Sequence, residues 1–274
     1  MSSGYAITNL LTGLAATSFT WSSAYTTGRS RLNDGLQDEV AAGSSSAQAS
    51  GQTLIIDLGS AQSVVGIALL NHHLATGSCT VLVESDDNSG FTTPTTRKAA
   101  TTINTSAPYS KDAILQFTSA SERYWRLTFV HTGTKIITLG EILVFGSITT
   151  LTRQTVYGAG ESERYVQNRV VSMTGHARAS LLAGPIRSKR LPYKDLKGTS
   201  ERNEMMTMWR ACRGGVSNLL FIDEIDSNTS AGDAESQQCL WGKLQPEISW
   251  AESDYLLFDI DAFELVGQGR EAGS

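Results

Sequence analysis

Residues 53–73 read TLIIDLGSAQSVVGIALLNHH, eleven aliphatic side chains in twenty-one positions with a Gly-Ser break in the middle. Asp57 interrupts the run, and neither half reaches the roughly 20 apolar residues that a membrane-spanning helix needs. A dinucleotide-binding turn would require G-x-G-x-x-G between a strand and a helix. Here Gly59 is followed by Ser60, Ala61 and Gln62, and the next glycine is Gly66. The run from Ser63 to Leu70 is rich in β-branched residues and is bounded by Asn71 and His72. The stretch therefore predicts two buried strands, TLIIDLG and SVVGIALL, joined by a short polar turn.

The rest of the chain extends this reading. A formal net charge of −5 over 274 residues leaves no basic footprint for nucleic acid. Cys79, Cys212 and Cys239 lie far apart without a C-x-x-C pair, so neither a disulfide framework nor a zinc site is expected, in keeping with a reducing cytoplasm. No Lys or Arg precedes Arg29, which argues against a secretory signal. Residues 1–148 carry 18 charged side chains, whereas the 126 residues from 149 to 274 carry 31. The first part instead holds about 40 serines and threonines between short apolar runs, the pattern of an antiparallel sandwich. Two domains are expected, 1–148 and 149–274, with the boundary near Gly146-Ser147-Ile148-Thr149.

Further strands are expected at CTVLVESD (79–86), AILQFTS (113–119), ERYWRLTFVH (122–131) and LGEILVFGS (139–147). No amphipathic helix interrupts them, which excludes a helix-covered parallel sheet and fits a jelly roll of about eight strands. In ERYWRLTF, alternation sets Trp125, Leu127 and Phe129 on one face and Tyr124, Arg126 and Thr128 on the other. The arginines read as ties for neighbouring loops, with Glu141 a partner for one of them. The ordered series IIDLGSAQSVVGIALL, VLVESDDNSGF, SERYWRLTF and LGEILVFG resembles the landmarks of discoidin-like (F5/8 type C, galactose-binding-like) domains across residues 5–147. That resemblance implies a sandwich that binds sugars or lipid head groups through loops at one end. Trp21, Tyr25, Arg31, Asn33 and Asp34 are the candidate ligand-binding residues, with a buried Trp21 and a simple Asn33-Asp34-Gly35 turn as the alternative.

After Thr150 the strands are richer in arginine, and one helix is expected from Thr199 to Arg213. Glu201 and Glu204 favour its N-terminus, and Gly214-Gly215 ends it. Met205, Met208, Trp209 and Cys212 form its apolar stripe. With strands at 216–226, 237–250 and 253–267, the second domain reads as an α+β split barrel or sandwich with one helix, and the whole chain as mainly β. Asp226, Asn228 and Ser230, which follow the acidic pair Asp223-Glu224, match three spaced positions of a calcium loop, but Ala231 takes the glycine position and no Glu closes it. No paired-carboxylate, G-x-S-x-G, P-loop or H-E-x-x-H signature is present, so no enzyme, cofactor or metal is expected.

The order EMMTMWRACRGGVSNLLFIDEID, CLWGKL and YLLFDIDAFELV resembles the ring-forming domain of bacteriophage distal tail (baseplate hub) proteins over about residues 153–267. It implies a virion structural protein of the tail tip, assembled in the host cytoplasm as a homo-oligomeric ring beside tube and hub proteins, with the first domain projecting toward host glycans. Arg187, Lys189 and Arg190 on one face and Asp223, Glu224 and Asp226 on another are the candidate halves of the ring contact. The alternative is a carbohydrate-binding module or adhesin of a larger hydrolase system.

Overall fold

A computed structural model describes residues 2–23, 28–36, 41–44, 46–74, 79–103, 112–152, 161–171, 177–225, 239–246, 250–254 and 257–267. In chain order its strands begin with β1 (Ser2–Ala6), β2 (Phe19–Trp21), β3 (Ala41–Ala42), β4 (Gln52–Leu70) and β5 (Thr80–Asp86). Then come β6 (Thr95–Thr102), β7 (Ala113–Val130), β8 (Thr138–Leu139), β9 (Glu141–Phe145) and β10 (Thr149–Thr150). The second half holds β11 (Glu161–Val171), β12 (Ala177–Lys197), helix α1 (Gly198–Ala211), β13 (Leu219–Ile225), β14 (Cys239–Leu244), β15 (Trp250–Asp254) and β16 (Leu257–Gly267). The described protein is mainly β, with one α-helix.

The opening stretch differs from its sequence reading in one respect. Its two halves do not fold back on each other; both pair antiparallel with β7, Gln52 to Asp57 against Phe129 to Tyr124 and Gln62 to Leu69 against Glu122 to Ala113. Four residues, 58–61, face the single Arg123 at the break, so β4 turns a corner there instead of reversing. Gly59 sits in the left-handed region at φ 78°, which glycine tolerates without strain. Asp57 fixes the corner: its Oδ1 accepts the Gly59 N–H at 2.8 Å, and both its oxygens accept from Arg123, at 2.7 and 2.9 Å. AILQFTS and ERYWRLTFVH likewise form the one strand β7.

Before the corner β4 belongs to the run β2-β4-β7-β5-β6; beyond it β4 also pairs β9. Leu54, Ile56 and Leu58 from the first half and Val64, Ile67 and Leu69 from the second enter one apolar core with Trp125, Leu127 and Phe129. A ribbon that bends across a bulge and lines one core from both arms is how strands change layers in a sandwich. Phe117 stacks on Trp125 across the bend of β7 at 5.4 Å between ring centroids. Asn9 closes the unit: its side chain accepts the Val144 N–H and donates to the Ile142 carbonyl.

Chain packing divides the protein into two units, one of residues 8–149 with 224–239 and one of 2–7, 150–223 and 240–274. The sequence reading grouped all of 1–148 together, yet Ser2–Ile7 cluster with the second unit. The cause is hydrogen bonding: β1 lies between β10 and β13, and the Leu151 N–H donates to the Ser3 carbonyl at 2.8 Å. The sandwich is thus an insertion between two neighbouring strands of the second unit's sheet, ordered β10-β1-β13-β14-β16-β12-β11 with β15 on β16. Of the helix stripe, Met205, Met208 and Cys212 are fully buried among Leu191, Tyr193, Phe221 and Leu265, whereas Trp209 is partly buried. Arg213, Gly214 and Gly215, all at positive φ, end the helix. At Gly215 a Cβ would meet the Leu244 carbonyl oxygen at 2.0 Å, so only glycine fits.

Candidate functional site

Three segments of the first unit meet where β2 ends, β4 begins and β7 runs out. Ser22 and Thr53 exchange hydrogen bonds, Gly51 donates to the Phe129 carbonyl, and Gln48 and Lys135 exchange two backbone hydrogen bonds at 2.8 and 2.9 Å. Ser22, Ser23 and residues 48–52 line an open concavity of about 220 Å³. Its side chains are hydroxyls and amides apart from Ala49.

Gln52 belongs to this lining and also reaches inward to the buried His131 side chain and the Lys135 backbone. Gln52 Nε2 donates to the Lys135 carbonyl at 3.1 Å and lies 3.2 Å from His131 Nε2. A carbonyl only accepts, which fixes the amide orientation; the amide then donates to His131 Nε2, leaving the imidazole proton on Nδ1. The backbone N–H of His131 is taken by Ser50 Oγ at 3.0 Å. Three enclosed groups are left without a hydrogen-bond partner: Gln52 Oε1, His131 Nδ1 and Lys135 Nζ. Each of these atoms is enclosed by protein, and of the three residues only Gln52 lines the concavity.

The residues singled out from sequence are placed differently. Trp21 is 2 % exposed, its ring 5.9 Å from that of Phe129, because β2 alternates Phe19 and Trp21 inward with Thr20 outward. It is a core residue and presents no face to a sugar. Asn33 donates to the carbonyls of Leu11 and Leu14 at 2.7 and 3.0 Å, which ties down its loop. Asp34 Oδ1 accepts the Leu36 N–H in a local turn. Arg31 is half-buried within the turn after Gly28, and Tyr25 lies outside the described residues. The missed residues did carry a signal. Gln52 and His131 continue the inward registers of Leu54-Ile56-Leu58 and Trp125-Leu127-Phe129, where an apolar residue is expected.

Glu141 is not paired with an arginine. Its Oε2 accepts the Gly35 N–H at 3.0 Å, while Arg123 holds Asp57 and Arg126 holds Glu84 at 2.9 Å. Burial, reinforced by the neighbouring Asp34 carboxyl, pushes Glu141 up to about 9. A cation held between these two carboxyls would have to replace that proton. Among the described residues no group of three or more His, Cys, Asp or Glu is arranged to hold a metal ion.

In the second unit Arg190 is exposed and Lys189 is buried. Register pairs Arg187 with Glu163 of β11 and Arg190 with Glu264 of β16. Asp223 and Glu224 lie on β13, and Asp226 is outside the described residues.

No family model matches the chain, and no curated protein matches it. Similar solved structures include chitosan-binding module 1 of a chitosanase/glucanase from Paenibacillus sp. IK-5, 26% identical over 51% of this chain and 99% of that one, with a TM-score of 0.40. The CBM32 of AlyQ in complex with 4,5-unsaturated mannuronic acid is 19% identical over 53% of this chain and 98% of its own, at a TM-score of 0.39. The lectin domain of lectinolysin complexed with Lewis B antigen is 19% identical over 51% and 97%, again at 0.39. Each covers about half of this chain, none is a tail protein, and at these TM-scores they assign nothing to it.

Proposed function

We propose that the inserted sandwich is a non-catalytic carbohydrate-binding module. The observation that carries this reading is the polar concavity at one end of the sandwich, lined by the hydroxyls and amides of Ser22, Ser23, Gln48, Ser50 and Gln52. Sugars are dense in paired donors and acceptors, and sites that bind them are built from such groups. The ordered landmarks resembling discoidin-like domains support the same reading. Titration of the full chain with a panel of neutral and acidic oligosaccharides should reveal saturable binding to at least one class. Flat heats and unchanged migration in polysaccharide-containing gels across the panel would remove it.

A second reading, a tail-tip component whose second unit forms a ring, is supported by the motif order in residues 153–267. It is also supported by β11, an 11-residue strand at the end of its sheet with β12 as its one described neighbour. It predicts a closed multimer on gel filtration that loosens as salt rises; a monomer at high micromolar concentration and low salt would exclude it.

A further inference from the structure

We infer that the outward face of the sheet, where β4, β7 and β5 lie side by side, continues the concavity as a track for a neutral, extended oligosaccharide. This rests on the carbohydrate-binding reading and names the ligand class and the course of the bound chain.

The face follows from alternation. Burial alternates residue by residue along Gln52–Leu58, Thr80–Glu84 and Tyr124–Val130, so each strand turns one row into the core and the other to solvent. Pairing sets Thr53 beside Thr128 and Thr128 beside Leu82, with Thr80 beside Val130 in the next row. Ser22 continues the first of these rows: its oxygen accepts the Thr53 N–H, and it also lines the concavity. A chain that leaves the concavity past Ser22 meets the Thr53–Thr128 row next. These six positions carry no charge. One row further along the strands, Arg126 and Glu84 hold each other at 2.9 Å and ask for no counter-charge from a ligand.

Threonine matches a neutral sugar in two ways. Its hydroxyl both donates and accepts, and its methyl suits the C–H face of a pyranose ring. Leu82 and Val130 add apolar surface between the hydroxyls. Strands about 4.8 Å apart hold these groups in a grid, and β-branched side chains are stiff at χ1, so little freedom is lost when a chain settles there. A protein partner fits less well, because Ser, Thr, Leu and Val are the types that contribute least as interface anchors.

The test uses the full chain, titrated calorimetrically with cello-, N-acetylchito- and β-galacto-oligosaccharides of two to six units. In at least one series the hexamer should bind about tenfold or more tighter than the disaccharide, with affinity unchanged by salt. Thr128→Lys puts a long charged side chain in the middle of the track and should collapse the difference between hexamer and disaccharide. On wild-type protein with ¹³C-labelled threonine methyls, the hexamer should shift Thr53 and Thr128, a readout that stands even if the variant fails to fold. Binding that does not strengthen with length, or strengthens with the Thr53 and Thr128 methyls unmoved, would overturn this inference and leave the carbohydrate-binding reading intact. Binding at no length in any series would remove both.

Discussion

Glu141 occupies the first position of β9, 1 % exposed, with one backbone N–H and the Asp34 carboxyl beside it. A carboxyl raised to about 9 when folded and near its usual value when unfolded stabilises the fold fully at acid pH. That contribution drains away as pH rises through the folded value. Glu141→Gln keeps an oxygen for the Gly35 N–H and a donor toward Asp34 without an ionisable proton. It should flatten the stability profile between about pH 5 and 9 and raise stability at pH 8 by about 1–3 kcal/mol in denaturant titrations. An unchanged profile would mean that the side chain is ionised in the fold. Asp57 has the opposite sign: hydrogen bonding from Arg123 holds its carboxyl below the usual range, so its contribution is lost as pH falls. Residue roles were legible where alternation decides them, as at Trp125 and Leu127. They were not legible at Glu141, because its partner Gly35 lies a hundred residues upstream and only the fold brings them together.

At the scale of elements, the corner in β4 was the feature hidden from the sequence. Gly59-Ser60-Ala61-Gln62 has the composition of a hairpin turn, and only the pairing of both flanks with β7 shows that the strand continues. Two glycines on β4 have different jobs. A Cβ at Gly59 would meet nothing within 4 Å, so Gly59→Ala costs only left-handed strain, about 1–2 kcal/mol. A Cβ at Gly66 would come within 2.5 Å of the buried Phe145 ring, so Gly66→Ala should destabilise by about 1–3 kcal/mol through overpacking. Phe145→Leu in the same chain should recover part of that loss, whereas it should not rescue Gly59→Ala. The helix, by contrast, was legible from its 3.6-residue stripe, and its burial separates the stripe's members. Met208→Ala should cost about 2–4 kcal/mol in thermal or urea unfolding. Trp209→Phe should cost about 1–2 kcal/mol, because both the hydrogen bond from Nε1 to the Gln245 carbonyl and part of the indole's packing volume go.

For the whole molecule, the step in charge density near residue 148 says nothing of where β1 belongs. Five residues, SSGYA, carry too little pattern to announce their sheet. The insertion predicts that residues 8–149 expressed alone unfold in one cooperative transition. It also predicts that the second unit survives when 8–149 is replaced by a short Gly-Ser linker. Loss of cooperative unfolding in the first fragment would show that its core needs segments from elsewhere in the chain.

The position of β1 also orders events during translation. It leaves the ribosome before either neighbour: β10 follows the entire sandwich, and β13 begins only at residue 219. At about 5–20 residues per second, β1 spends on the order of 10–40 s without its full complement of neighbours. The sandwich, whose strands from β2 to β9 are made consecutively, has that interval in which to fold. Two serines, a glycine and an alanine beside the single aromatic Tyr5 make the wait tolerable, since a nascent segment of this kind offers other chains little to stick to. A more apolar β1 would hold its sheet more tightly in the finished protein and expose the unfinished one to aggregation.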